Sequence, residues 1–231
     1  MNLVSLGDWL SLCHGLHIPT VPAALVGRLP FAELERVFDY QTVSDHTIRT
    51  LATLAEPQPG TMLRWDCCAP LSIKHALAKG QPDWQPTFSQ LEVDDPRFVE
   101  IVYASGLDPI VIWRRPWLHP VVIDRYPLEY RIFASRGQVQ GIANYYSQRP
   151  LEETPEILSD CETLATYASR LLTEVGSFSA DFIKMPDGRL LFLEGGPPHD
   201  PANPWSAHPC CFAPGAIRGI ALRPQPGAQS F

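Results

Sequence analysis

Apolar residues recur at helical spacing through much of the first sixty positions. Trp9, Leu12, Cys13 and Leu16 share one helical face, and Phe31, Leu34 and Phe38 repeat the pattern after Pro30. Ser44 is placed to cap a third helix that turns Ile48, Leu51 and Ala55 inward, and the Pro- and Gly-containing stretch 56–60 ends it. The pattern predicts short helices here, then a short strand over 62–66.

Two later helices have clearer ends. Over 95–105, Asp95 is a natural N-cap, Pro96 takes the first helical position and Gly106 follows the last, with Phe98, Ile101, Val102 and Ser105 on the inner side. Over 159–175, Ser159 and Glu162 have capping-box spacing. Cys161, Leu164, Ala165, Ala168, Leu171, Leu172 and Val175 form a stripe that stops at Gly176. Strands occupy the intervals. Residues 109–113 form an apolar run, 130–134 and 139–146 flank the turn signal Ser135-Arg136-Gly137-Gln138, and 178–185 and 189–194 flank Pro186-Asp187-Gly188. Helices separated by antiparallel hairpins predict an α+β protein rather than a doubly wound parallel sheet.

Composition narrows the class. The 231 residues are 45% hydrophobic, 10% aromatic and 19% charged, which excludes a disordered chain and suffices for a substantial core. Eighteen basic against 25 acidic side chains give a formal net charge of −7, which argues against broad binding to nucleic acid or anionic membrane. No run approaches the ~18–20 apolar residues of a membrane span. The first residues lack a basic start and place Asp8 inside their apolar run, a poor secretory signal, so a cytoplasmic protein is expected. Cys13, Cys67, Cys68, Cys161, Cys210 and Cys211 include no C-x-x-C and fit reduced thiols. A metal group built from His199, His208, Cys210 and Cys211 is disfavoured, because adjacent cysteines seldom point the same way. Much of the chain's 24 prolines lies in 197–231, which reads as an irregular tail.

The second hairpin carries the sharpest chemistry. Asp181 and Glu194 are carboxylates in otherwise apolar strands. If the turn is two residues, Asp187 and Gly188, then Pro186 pairs with Arg189 and Asp181 faces Glu194; a three-residue loop makes them diagonal neighbours. Like charges across a ladder destabilise it, so a facing pair calls for a cation. Two carboxylates plus phosphate oxygens make a normal magnesium shell. The alternative is that Asp181 faces solvent or pairs with arginine while Glu194 merely ends its strand.

Opposite charge comes from 110–136, where Arg114, Arg115, Arg125, Arg131 and Arg136 meet only Asp124 and Glu129. Arg131 alternates with Tyr130 and Ile132 and so lies on the other side of its strand. A guanidinium facing a pocket there suits phosphate oxygens, whereas Arg136 at the turn, and Arg125 on the same count, fit a solvated face. No G-x-x-x-x-G-K-[ST] occurs, so any nucleotide site is not a P-loop. Cys67 or Cys68 beside Asp66 makes a poor nucleophile, and His75 or His119 as a general base has no partner in the pattern.

The segments LRWDCCAP (63–70), IVIWRRPW (110–117), LEYRIFASRGQVQGIANYY (128–146) and ADFIKMPDGRLLFLEGGPP (180–198) resemble, in this order, motifs of ATP-grasp proteins. The nearest likeness is to the cell-division-cycle-123-type group and its bacterial and phage relatives, over about 62–198. The resemblance implies an α+β fold of two lobes whose antiparallel sheets clasp ATP. Its regions would be a short, shortened helical N-terminal part (1–60), a first lobe (61–108), a second lobe bearing the metal hairpin (109–198) and a Pro-rich tail (199–231). It assigns Asp181 and Glu194 to magnesium, Arg131 to the phosphate side as the catalytic arginine, and Arg115 to the arginine before the tryptophan.

Departures accompany it. The family's Glu-x-Asn-Pro reads Glu194-Gly195-Gly196-Pro197 here, so Gly196 offers no side-chain oxygen; His199, Asp200 or Asn203 are the possible substitutes. The early-strand lysine is missing, leaving Arg64 or the downstream Lys74 and Lys79 for the phosphate contact, and 66–95 holds no convincing glycine-rich flap. The implied function is an ATP- and magnesium-dependent carboxylate–amine ligase acting on an unknown substrate. The alternative is a non-catalytic ATP-binding protein that organises a partner surface, as the resemblance to an assembly-factor family would allow.

Overall fold

The computed structural model describes residues 1–56, 58–70, 96–123, 126–145, 151, 154–200 and 202. The chain forms two compact units. One contains Val21–Leu118, the other Leu6–Thr20 together with the chain from His119 onward.

The first unit is built on a three-stranded antiparallel sheet. Strand β1 (Ala24–Leu29) and β2 (Thr61–Trp65) flank β3 (Ile110–Pro116). Leu29, Leu63, Trp65, Ile110 and Ile112 point to one face by alternation. They pack with Leu34 of α2 (Phe31–Phe38), Leu54 of α3 (Asp45–Ala55), and Phe98 and Val102 of α4 (Pro96–Ser105). Trp65 stacks on Phe98 at 4.4 Å between centroids. Ser44 caps α3, its Oγ accepting from Thr47 N–H at 3.2 Å.

The second unit carries a four-stranded antiparallel sheet of order β7-β6-β8-β9, from β6 (Glu129–Ser135), β7 (Gln138–Asn144), β8 (Phe178–Lys184) and β9 (Leu190–Gly196). One face packs on α1 (Leu6–Gly15) and α5 (Pro155–Leu171), where Trp9, Leu164, Ala168, Phe178, Phe182 and Phe192 are fully buried. A small ribbon of β4 (Val122–Ile123) and β5 (Tyr126–Pro127) precedes β6. The first hairpin turns through Arg136 and Gly137, both at positive φ, as the sequence predicts.

Three expectations are corrected. The N-terminal stretch is not all helical: 24–29 forms β1, bulged at Val26 and paired with β3, because the apolar run between Pro22 and Pro30 is too short for a helix and gains sheet partners instead. Helix α3 is rotated by one position, with Thr47 and Leu54 inward and Ile48 53% exposed, because Thr47 Oγ1 bonds Glu33 at 2.7 Å and Thr50 packs over Gly27. Helix α5 starts at Pro155, not Ser159. Thr154 is its cap, and Ser159 and Glu162 lie mid-helix.

Asp95, Asp124, Arg125, Lys74, His75, Lys79, Asn203, His208, Cys210 and Cys211 lie outside the described residues, as does the tail beyond 202.

Candidate functional site

The β8–β9 hairpin uses a three-residue loop rather than two. Met185 N–H donates to Arg189 O at 2.8 Å, Gly188 N–H donates to Met185 O at 2.9 Å, and Gly188 sits at φ +88°, where a side chain would be strained. This loop alone would set Asp181 and Glu194 diagonal. Beyond it, Phe182 pairs with Phe192 but Asp181 pairs with Glu194, so Leu193 is an extra residue bulged out of β9. The bulge restores the facing pair by a route different from the two-residue turn.

On the other side of β8, Asp181 faces Arg131, which in turn faces Ala143. Arg131 donates Nε to Asp181 Oδ1 and Nη2 to Oδ2, both at 2.6 Å. Its guanidinium carbon lies 4.5 Å from the centroid of the Tyr145 ring. Asp181 is 1% exposed and Arg131 8%, while Glu194 is half-buried. Burial by itself would lower the arginine's pKa; the Asp181 charge and hydrogen bonds, with Tyr145 and Glu194 behind them, hold it well above its ordinary value instead. Asp181 therefore pairs with arginine, and it does so while facing Glu194.

Glu129 is a further carboxylate beside this row. It is two residues before Arg131 on the same strand face and is buried. Glu129, Asp181 and Glu194 thus share that sheet face with Arg131. Among the described residues no group of three or more His, Cys, Asp or Glu gathers as a metal cage. The donor set fits magnesium: hard oxygens from one or two carboxylates, with phosphate oxygens and water completing the shell. Each Asp181 oxygen accepts one N–H from Arg131.

Gly195 is required by packing, since a Cβ there would lie 2.3 Å from the Trp9 indole. At Gly196 a Cβ would meet only Ser179 Oγ, at 3.4 Å, and Ser179 Oγ donates to Pro197 O at 3.0 Å. His199 is half-buried, and exposed Asp200 accepts from Ala202 N–H at 2.9 Å.

The other unit brings its own basic residues together. Met62 pairs with Arg115 and Arg64 with Trp113, so Arg64 and Arg115 share the sheet face opposite the apolar core. Both are 2% exposed. Arg64 Nε donates to Trp65 O at 3.0 Å, and Trp113 Nε1 donates to buried Asp66 at 2.5 Å. Neighbouring Arg114 faces the core side and has a buried Nε without a hydrogen bond. Arg136 is exposed at its turn and His119 is exposed. Hydrogen bonding to Cys68 and burial push the Cys67 thiol well above its ordinary pKa, with Arg64 acting weakly the other way, so it is no ready nucleophile.

Behind the four-stranded sheet lies a buried polar group that no local pattern announces. Lys184 Nζ donates to Asp160 Oδ1, and Tyr130 OH donates to Asp160 Oδ2 at 3.0 Å. All three are buried, and they tie α5 to β6 and β8 on the face opposite Asp181.

No family model and no curated protein matches the chain in sequence. Its fold is similar to that of Cdc123 from Schizosaccharomyces pombe. A C-terminally truncated form aligns at a TM-score of 0.56 and 15% identity over 84% of this chain and 83% of that one, and a second structure at 0.55 and 15% over 85% of each. An N5-carboxyaminoimidazole synthase from Aspergillus clavatus, in complex with ADP, aligns at a TM-score of 0.43 and 11% identity over 87% of this chain and 46% of that one. The chain thus has an α+β fold resembling that of Cdc123.

Proposed function

We propose that the protein is an ATP- and magnesium-dependent ligase-like enzyme that activates a carboxylate by phosphoryl transfer and passes the acyl phosphate to an amine. The row Arg131–Asp181–Glu194 carries this reading: two carboxylates set face to face by a bulge, one of them fixed by a two-pronged arginine. Magnesium, when bound, neutralises phosphate charge. Asp181 and Glu194 are its protein ligands. Arg131 holds Asp181 in one orientation and keeps Nη1, which bonds no described residue, as a donor for a phosphate oxygen. Arg64, Arg115 and Lys74 are retained in this reading as further nucleotide contacts. The phosphoryl group moves to a carboxylate oxygen and ADP leaves; a neutral amine then attacks the acyl carbon and expels phosphate.

Gly196 supports a second reading, a nucleotide-binding protein that organises a partner without turnover, because it withholds the side-chain oxygen that a second metal would use. ADP release separates the two. Under the first reading, incubation with ATP and magnesium yields ADP only when a suitable pair from a panel of carboxylic acids and amines is added, and Glu194→Gln abolishes it. Intact ATP across the panel, with magnesium-dependent ATP binding preserved, favours the second.

A further inference from the structure

On the face of the sheet away from Asp181, α5, the β8–β9 hairpin and Pro19 border a half-open pocket of about 290 Å³. Its lining is mostly polar: Glu156, Ser159, Asp160, Thr163, Tyr167 and Lys184, with Arg189 at the hairpin end. The side chain of Lys184 is 6% exposed. An ammonium has three N–H donors, and Lys184 gives one to Asp160. Glu156 Oε1, at 3.8 Å, is beyond hydrogen-bond reach, so among the described residues two donors lack a protein acceptor. A buried ammonium in that state calls for an acceptor from outside the chain.

Charge decides which kind. Asp160 is spent on Lys184 and Tyr130, and Arg189 is held by Asp187 at 2.7 Å. Glu156, 75% exposed, stands at the rim with its Oε1 3.8 Å from Lys184 Nζ, a loose ion pair that leaves the carboxylate open to a second cation. A bare anion on Lys184 would meet Glu156, and a bare cation would leave Lys184 unanswered. The volume is at the small end for ligand pockets and too small for a nucleoside triphosphate. We infer that this cavity binds a small zwitterion, a free α-amino acid or a compound of like chemistry, its carboxylate on Lys184 and its ammonium on Glu156. The site is separate from the nucleotide row and does not depend on the function proposed above.

The test is a melting assay of the whole protein with each of the twenty common amino acids, and with acetate and methylammonium as half-molecules. At roughly ten times Kd, a binding amino acid raises Tm by about 3–6 °C, while neither half-molecule does. The rise disappears in Glu156→Gln, a surface change that leaves folding intact, and in Lys184→Met, and persists in Glu194→Gln on the opposite face. The inference is overturned if no amino acid moves Tm, if acetate or methylammonium alone matches the effect, or if the rise survives Glu156→Gln.

Discussion

Asp181 and Glu194 face one another across β8 and β9 because Leu193 is bulged out between them and the hairpin loop. On its other flank Asp181 is clasped through both oxygens by Arg131, so the sheet carries an alternating charge row rather than a bare pair of like charges. The repulsion between the carboxylates is thereby offset within the protein.

The arginine is the keystone of that row. Arg131→Met removes the two-pronged clasp on buried Asp181, which costs about 3–5 kcal/mol. Arg131→Met combined with Asp181→Leu recovers much of the loss, because the buried Asp181 charge is removed together with its partner. Urea unfolding of the wild type, both single variants and the double variant measures the coupling.

Gly195 and Gly196 respond oppositely to substitution. Gly195→Ala drives a methyl into the Trp9 ring and lowers stability by about 1–3 kcal/mol. Gly196→Asn finds open space apart from Ser179 Oγ and adds an oxygen two residues beyond Glu194 on the same face. It is expected to tighten magnesium–ATP binding, read by calorimetry, with Tm within a few degrees of wild type.

Glu33 contributes acid sensitivity. Its Oε2 accepts from Thr47 Oγ1 at 2.7 Å and from Ser44 N–H at 2.9 Å, and its Oε1 from Arg36 at 3.0 Å. These bonds, that from Thr47 foremost, lower its pKa from 4.5 to about 2. Since the folded value is the lower one, the stabilisation is complete above 4.5 and is lost as pH falls toward about 2. Tm curves of wild type and Glu33→Gln should differ at neutral pH and converge across that window.

Thiol chemistry should follow burial. Desolvation pushes Cys13 up to about 12, and it is fully buried. Iodoacetamide at about pH 8 should leave Cys13 unlabelled in the folded protein and label it only on unfolding, as peptide mass spectrometry would show.

Local signals carried much of this structure. The Arg136-Gly137 turn, the Ser44 cap and the alternation that separates Arg131 from Tyr130 are each settled by a few neighbouring residues, and the sequence displays them directly. The facing of Asp181 and Glu194 was legible only in its outcome. A three-residue loop and a bulge cancel, and nothing in Leu-Phe-Leu-Glu marks which residue is extruded. Strand β1 was hidden because its pairing partner is some eighty residues away. The Tyr130–Asp160–Lys184 group was equally hidden, since each member lies on a different element. Lysine ending an apolar strand and aspartate on a helix stripe were the available hints, and both have ordinary surface explanations.

The most direct test of the central claim is calorimetric titration of ATP into wild type and Glu194→Gln, with and without magnesium. Glu194 is half-buried and pairs across the strand edge, so the variant keeps the Arg131–Asp181 clasp. The account predicts magnesium-dependent binding in the wild type and a loss of at least about tenfold in the variant, ~1.4 kcal/mol, with the two proteins alike when magnesium is absent. Equal affinities in the presence of magnesium, or no ATP binding by the wild type, would contradict it.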